Sequence, residues 1–109
     1  MWIVTRLRVG NNQVFLGAGS RELLEKIEEH SSIKKATQAM GLSYTKALRI
    51  IRAMEAELGF PVVVSEKGGN NRGGTKLTEK GRHVLEVYME IEREVTRYAQ
   101  KLLDEKFNF

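Results

Sequence analysis

The chain has 109 residues and a mass of 12.4 kDa, which is the size of one small domain. Hydrophobic residues make up 41% and charged residues 29% of it, the balance of a folded domain, and this excludes long disorder. No stretch approaches the roughly 18 consecutive apolar residues of a membrane span, and the first residues lack the order of a signal peptide. With no cysteine, the sequence excludes disulfides and thiolate metal sites and fits a cytoplasmic protein.

The net charge of +4 is unevenly distributed along the chain. Residues 31–82 contain ten basic and four acidic residues, whereas the remainder has a small acidic excess. A positive block of this kind indicates a polyanionic partner for one face of the fold. Charge alone leaves open the alternative that the block is only a solvated surface.

The first thirty residues predict a β-hairpin followed by an acidic helix. Apolar and polar side chains alternate over residues 2–9, and an apolar run at 14–16 follows a Gly-Asn-Asn turn. We expect Trp2 and Phe15 to lie in the core of this hairpin. Ser20 is the predicted N-cap of the helix that follows.

The next stretch predicts a helix, a turn and a second helix. Ser32 is placed to cap a short helix, which Gly41 can end by adopting a positive φ. Ser43 is placed to cap a second helix that runs to about Leu58, where Gly59 ends it. This order is typical of a helix-turn-helix, although other helical proteins contain similar corners.

The second of these helices has an apolar and a polar face. At 100° per residue, the apolar residues fall in one narrow stripe: Ala47, Ile51, Met54 and Leu58. Thr45, Arg49 and Arg52 fall on the opposite side, an arrangement that suits a helix in the major groove of DNA. The alternative is that the two arginines only form ion pairs with Glu55 or Glu57.

Residues 62–78 predict a second hairpin with a glycine-rich loop, which directly after a recognition helix is typical of a wing. Arg72 near the tip suits a narrow minor groove, and Lys67 and Lys76 on the stems suit phosphates. The alternative is a plain mobile hairpin tip.

A long last helix is predicted from a cap at Thr78 to about Lys106. Its apolar residues recur at steps of four and three and form a heptad seam: Val84, Tyr88, Ile91, Val95, Tyr98 and Leu102. The seam either packs over the N-terminal hairpin or pairs with a second chain. We favour a homodimer through residues 83–106, because small DNA-binding proteins gain a second half-site in that way.

Several positions carry a family resemblance: Ser32-Ile33, Ala36, residues 39–44, Ala47, residues 57–59, Pro61, the glycine pairs 68–69 and 73–74, Leu77-Thr78 and Gly81. This pattern resembles the DNA-binding domain of the molybdate-dependent regulators called ModE, and the LysR regulators share part of it. The resemblance implies an α+β, mainly α, winged helix-turn-helix. It would be a single domain over 1–109, with an N-terminal β-hairpin and a long C-terminal helix, that dimerises and binds partly symmetric duplex DNA.

The chain also departs from the ModE pattern. Thr45 stands where that family usually has a basic residue, and Leu48 where it often has Trp, which points to a different base preference. The molybdate-binding domains of full-length ModE regulators are absent from these 109 residues. The resemblance therefore predicts DNA binding and transcription regulation without predicting molybdate sensing, and the sequence identifies no effector.

No combination of residues predicts catalysis, a metal site or a cofactor. His30 and His83 lie far apart without carboxylates at metal-ligand spacing, and no serine has a positioned base. We therefore predict a regulator and no enzyme. The second hypothesis is a winged-helix interaction module whose last helix binds a different protein. RNA binding ranks third, because only Tyr44 is well placed to stack on a base.

We expect the DNA-binding side chains to come from the second helix of the helix-turn-helix and from the wing. They are Ser43, Tyr44, Thr45, Lys46, Arg49, Arg52, Lys67, Arg72 and Lys76.

Overall fold

The computed structural model describes residues 1–66 and 74–109 of the chain. In chain order, the elements are β1 (Val9–Gly10), β2 (Val14–Leu16), α1 (Ala18–His30), α2 (Ile33–Met40), α3 (Tyr44–Leu58), β3 (Val63–Glu66), β4 (Gly74–Leu77) and α4 (Glu79–Lys106). Each pair of strands forms its own antiparallel hairpin. The mainly helical winged architecture predicted from the sequence is confirmed.

The helix-turn-helix begins and ends at the predicted capping residues. The hydroxyls of Ser32 and Ser43 each accept a hydrogen bond of 3.1 Å from the backbone N–H three residues further on. Gly41 ends α2 with φ +67°, and Gly59 ends α3 with φ +82°, a conformation that costs glycine little. These four residues account for the bounds of both helices.

The predicted start of α1 was wrong by two residues. The helix begins at Ala18, with Gly17 as its N-cap, so Ser20 lies within the first turn. The Ser20 hydroxyl accepts a hydrogen bond from the N–H of Gly17 at 3.1 Å. Ser20 thus caps the helix from inside its first turn rather than from the position before it.

One continuous apolar core joins all four helices and both hairpins. Its fully buried members include Leu23 and Leu24 of α1, Met54 of α3, and Val62 and Leu77 at the base of the wing. Burying side chains of this size stabilises a fold by about 1.5–3 kcal/mol each. The core therefore holds the helix-turn-helix and the wing in one arrangement.

The wing is held against the end of α1. Strands β3 and β4 pair in a regular register from Val63 opposite Leu77 to Glu66 opposite Gly74. The N–H of Thr75 donates a hydrogen bond of 3.0 Å to the carbonyl of Ser31, which has left-handed backbone angles. The start of β4 is thus attached directly to the helical body.

The N-terminal residues form much less of a hairpin than predicted. Only Val9–Gly10 pairs with β2, and residues 1–8 instead run along α4. The N–H of Ile3 donates to Oε1 of Gln100 at 3.1 Å, and the hydroxyl of Tyr88 donates to the carbonyl of Leu7 at 2.8 Å. Residues 1–8 therefore cover one side of α4.

The predicted alternation of these residues holds, but its inner and outer faces are defined by α4. Ile3, Thr5 and Leu7 are half-buried against the helix, whereas Trp2 is 79% exposed. The expectation that Trp2 lies in a hairpin core was wrong, because its side chain points away from the surface on which the segment lies. Phe15 does pack against the core.

Across residues 1–66 and 74–109, none of the helices has both the length and the apolar character that a membrane crossing requires.

Candidate nucleic-acid interface

Helix α3 presents a polar face to solvent from an apolar attachment. Ala47, Ile51 and Met54 are buried in the core, as the periodicity predicts. On the opposite side the side chains are exposed: Thr45, Arg49 and Arg52. The helix is therefore fixed on one side, and its basic side is open to a ligand.

The two arginines of α3 are not neutralised by the glutamates near them. Glu55 accepts a hydrogen bond of 2.8 Å from the N–H of Val62. Glu57 accepts from two backbone N–H groups in the turn of the first hairpin, at 2.7 and 3.0 Å. Within the described ranges, no ion pair joins Arg49 or Arg52 to a carboxylate. The alternative of simple intrahelical pairing is not what the geometry shows.

The N-terminal ends of α2 and α3 add further exposed polar groups. Tyr44 and Lys46 are exposed in the first turn of α3 beside its cap, Ser43. Lys34 and Lys35 are exposed in the first turn of α2. The latter pair was counted in the basic block but not assigned to the site. Its position beside a helix N-terminus, where phosphates bind well, was the available signal.

The predicted wing contacts are only partly within the described residues. Lys67 and Arg72 lie outside them. Lys76 is exposed on β4, and its Nζ lies 3.4 Å from a carboxylate oxygen of Glu66 on the facing strand. A phosphate contact by Lys76 would therefore compete with a surface ion pair, which at such exposure is worth about 1 kcal/mol or less.

The predicted seam on α4 divides into a buried and an open part. Val84 is half-buried and packs against the core, and Tyr88 is 2% exposed and belongs to the protomer's own core. Ile91, Val95 and Tyr98 are 46%, 40% and 61% exposed. The open stripe thus begins about one heptad later than the sequence suggested. Leu102, the last predicted member, is half-buried.

Tyr88 shows why the two parts differ. Its ring closes the core between α4 and residues 1–8, where its hydroxyl donates to the carbonyl of Leu7. Burial first, and the nearby Glu92 second, raise the pKa of Tyr88. The phenol therefore remains a neutral hydrogen-bond donor at physiological pH.

The described part of the chain contains no group of three histidine, aspartate or glutamate side chains arranged to hold a metal ion. His30 is half-buried at the end of α1, with Nε2 3.6 Å from a carboxylate oxygen of its neighbour Glu29. His83 is exposed on the first turns of α4.

A helix-turn-helix with an open basic helix, followed by a β-hairpin wing, defines the class of winged helix-turn-helix DNA-binding domains. The family follows from the sequence match. Residues 21–82 match the model of the bacterial regulatory helix-turn-helix proteins of the lysR family. The chain belongs to that family, which is one of DNA-binding transcription regulators rather than of enzymes.

Similar proteins include regulators of molybdenum metabolism. The chain is 38% identical over 86 residues to the molybdenum transport protein ModE of Azotobacter vinelandii, covering 79% of the chain and 32% of that protein. It is 37% identical over 82 residues to the molybdenum-pterin-binding protein MopB of Rhodobacter capsulatus, covering 75% of the chain and 30% of that protein. The chain therefore spans about a third of the length of these relatives.

Solved structures support the fold. The CbnR DBD–DNA complex contains a chain with a TM-score of 0.57 and 22% identity, with 76% of this chain and 90% of that chain covered. VV2_1132, a LysR family transcriptional regulator, gives a TM-score of 0.55 and 20% identity, with 82% of this chain and 27% of that chain covered.

Proposed function

We propose that the chain is a cytoplasmic, sequence-specific transcription regulator that binds duplex DNA as a homodimer. Helix α3 enters the major groove, and the wing lies at the adjacent minor groove. The observation that carries the proposal is the exposed basic face of α3, on which Arg49 and Arg52 have no carboxylate partner among the described residues.

The environment of the two arginines supports a role in base reading. A guanidinium group can donate two hydrogen bonds to O6 and N7 of guanine, which is a common specific contact in the major groove. Because Glu55 and Glu57 are engaged by backbone N–H groups, Arg49 and Arg52 can reach bases without first breaking an ion pair.

Backbone phosphates would be bound around the helix ends. Lys46 lies at the N-terminal end of α3, and Lys34 and Lys35 at that of α2, where the helix dipole adds to the attraction. Lys67, Arg72 and Lys76 of the wing would extend these contacts, Arg72 in the minor groove. The contacts to phosphate position the protein, and those of α3 select the sequence.

The open stripe on α4 supports the homodimer. Ile91, Val95 and Tyr98 form a row of exposed apolar side chains on one face of a helix, which a second copy would cover. Val84 and Leu102 extend the row at its two ends, whereas Tyr88 only supports it from below. A two-fold dimer presents two recognition helices to a partly symmetric site.

The sequence preference of α3 provides the test. Duplexes enriched from a randomised library by the intact protein give its preferred site, on which Arg49→Ala is compared with Lys26→Ala. Lys26 lies on the acidic helix α1 and forms an ion pair with Glu29, which makes it a matched loss of one charge away from α3. We expect Arg49→Ala to relax preference at one base pair by about 1–3 kcal/mol, and Lys26→Ala to leave it intact.

The outcome separates the two functional hypotheses. If no duplex is enriched and the protein instead forms a complex with another protein through α4, the chain is an interaction module. If duplexes are enriched but Arg49→Ala and Arg52→Ala change nothing, the docking of α3 is wrong.

A further inference from the structure

Two apolar features at opposite ends of α4 have no partner within the protomer. The first is an open cavity of about 310 Å³ beside the start of α4, lined by Val84, Val87 and Ile91 and by Phe15 of β2. The second is a pair of aromatic rings that follows the helix. Phe107 and Phe109 contact each other edge to face, with centroids 4.7 Å apart, and are 48% and 102% exposed.

The heptad spacing relates these two features if two copies of α4 pair in opposite directions. In antiparallel pairing, the two kinds of core position face each other, so that Val95 layers against the partner's Tyr98 and Ile91 against the partner's Leu102. One heptad further out, Val84 comes opposite the partner's Phe109. The register that centres the open stripe therefore brings the aromatic pair of one copy to the cavity of the other.

Charges beside the stripe favour this direction. Glu94 and Lys101 are exposed, lie seven residues apart and so flank the stripe on the same side. Antiparallel pairing sets Glu94 beside the partner's Lys101, and two-fold symmetry repeats the contact. Parallel pairing would instead set Lys101 beside the partner's Lys106, again twice. Such charges fix orientation more than affinity, which comes from apolar burial.

We infer that Phe107 and Phe109 of one copy occupy the apolar cavity beside Val84 and Val87 of a second, antiparallel copy. The inference rests on the homodimer proposed above and adds its direction, its register and the residues at its ends. Each dimer would contain two such contacts. The aromatic pair then closes the core of the partner instead of standing in solvent.

Cross-linking tests the inference directly, because the chain has no cysteine of its own. The full-length double variant Val84→Cys/Phe109→Cys and both single variants are oxidised and run without reductant, beside sedimentation of the unaltered protein. Within one copy, positions 84 and 109 lie about 30 Å or more apart along α4, whereas a disulfide requires Cα atoms within about 7 Å. A disulfide between these positions therefore has to join two copies.

We expect a cross-linked dimer from the double variant and from neither single variant. Cross-linking of Phe109→Cys alone would show a parallel pair and overturn the inference. If the unaltered protein sediments as a dimer but the double variant does not cross-link, the cavity contact is wrong and the proposed dimer stands. A monomeric unaltered protein would overturn both.

Sedimentation of a second variant gives the size of the contact without relying on disulfide chemistry. We expect Phe107→Ala/Phe109→Ala to raise the dissociation constant of the dimer roughly tenfold or more, since two phenyl rings return to water. Val64→Ala, a similarly exposed position on the wing, is the matched control and should leave the constant unchanged. Equal constants for the two variants would overturn the inference.

Discussion

Gly81 shows how a single residue positions the start of α4. A Cβ atom at this position would lie 2.2 Å from the carbonyl oxygen of Val62, closer than any real contact. That carbonyl also accepts a hydrogen bond of 3.0 Å from the N–H of Thr78, whose hydroxyl in turn caps the helix at Gly81. The Leu-Thr-x-x-Gly pattern thus has a physical cause, because only glycine lets α4 lie directly on the backbone beside the wing.

Gly81→Ala should therefore destabilise the fold. We expect a loss of about 1–3 kcal/mol or more, because the atom that is met is backbone and cannot rotate away. Gly19→Ala is the matched control, since no heavy atom lies within 4 Å of a Cβ at that helical position. It should be neutral or stabilising by up to about 1 kcal/mol. Denaturant unfolding of both variants measures the difference, and equal stabilities would contradict this account of α4.

Individual capping residues were mostly predictable. Ser32, Ser43 and Thr78 were identified because a hydroxyl before a helical pattern has one dominant use. Ser20 was misassigned because a hydroxyl in the first turn can also reach back to the N-cap, and sequence does not distinguish the two. The exposure of Trp2 was missed because it depends on what lies beneath the segment.

At the scale of elements, the N-terminal segment and α4 depend on each other. An extended segment with one face covered alternates apolar and polar residues whether a strand or a helix covers it. The alternation of residues 2–9 was therefore read correctly, and its hairpin partner was not. Likewise, periodicity placed Tyr88 and Ile91 on one seam, although only the three-dimensional fold decides that Tyr88 is covered by residues 1–8.

The contact between these elements makes stability depend on pH. At neutral pH, Tyr88→Phe removes the hydrogen bond to Leu7, which should cost about 0.5–1.5 kcal/mol. Because burial raises the pKa of Tyr88 above that of the unfolded chain, about 10, its contribution is complete below pH 10 and is lost as pH rises further. Denaturant midpoints against pH should thus converge above pH 10.

Tyr98→Phe serves as the matched control for this series. Tyr98 is 61% exposed on the same helix, so its loss should leave the alkaline decline of the unaltered protein in place. An alkaline decline of the same size in Tyr88→Phe would show that Tyr88 is not the group responsible.

The recognition helix was the best predicted element, because its two faces differ in chemistry. The core stripe and the basic face both follow from 100° per residue, and the caps at Ser43 and Gly59 fix its length. What the sequence could not decide was whether Arg49 and Arg52 pair with Glu55 and Glu57. That depends on backbone N–H groups of the first hairpin and the wing, which come from distant parts of the chain.

At the scale of the whole molecule, the shape agrees with a division of labour. The protein measures 62 × 28 × 23 Å, because the 28-residue α4 extends beyond the helical body. The basic block lies in the body, and the open apolar stripe lies on the extension. Composition predicted the positive block and its polyanionic partner, and the family match agrees with DNA as that partner. The operator and any effector depend on molecules that the chain does not encode.

Fluorescence-anisotropy titration of the intact protein with random duplex DNA at two salt concentrations, with the single strand as control, tests the central claim most directly. Each phosphate neutralised by a basic side chain should contribute about −0.9 to the slope of log affinity against log salt for a duplex. We expect clear duplex binding that weakens steeply with salt and exceeds binding to the single strand. Weak binding that does not change with salt would contradict a DNA-binding role for the basic face.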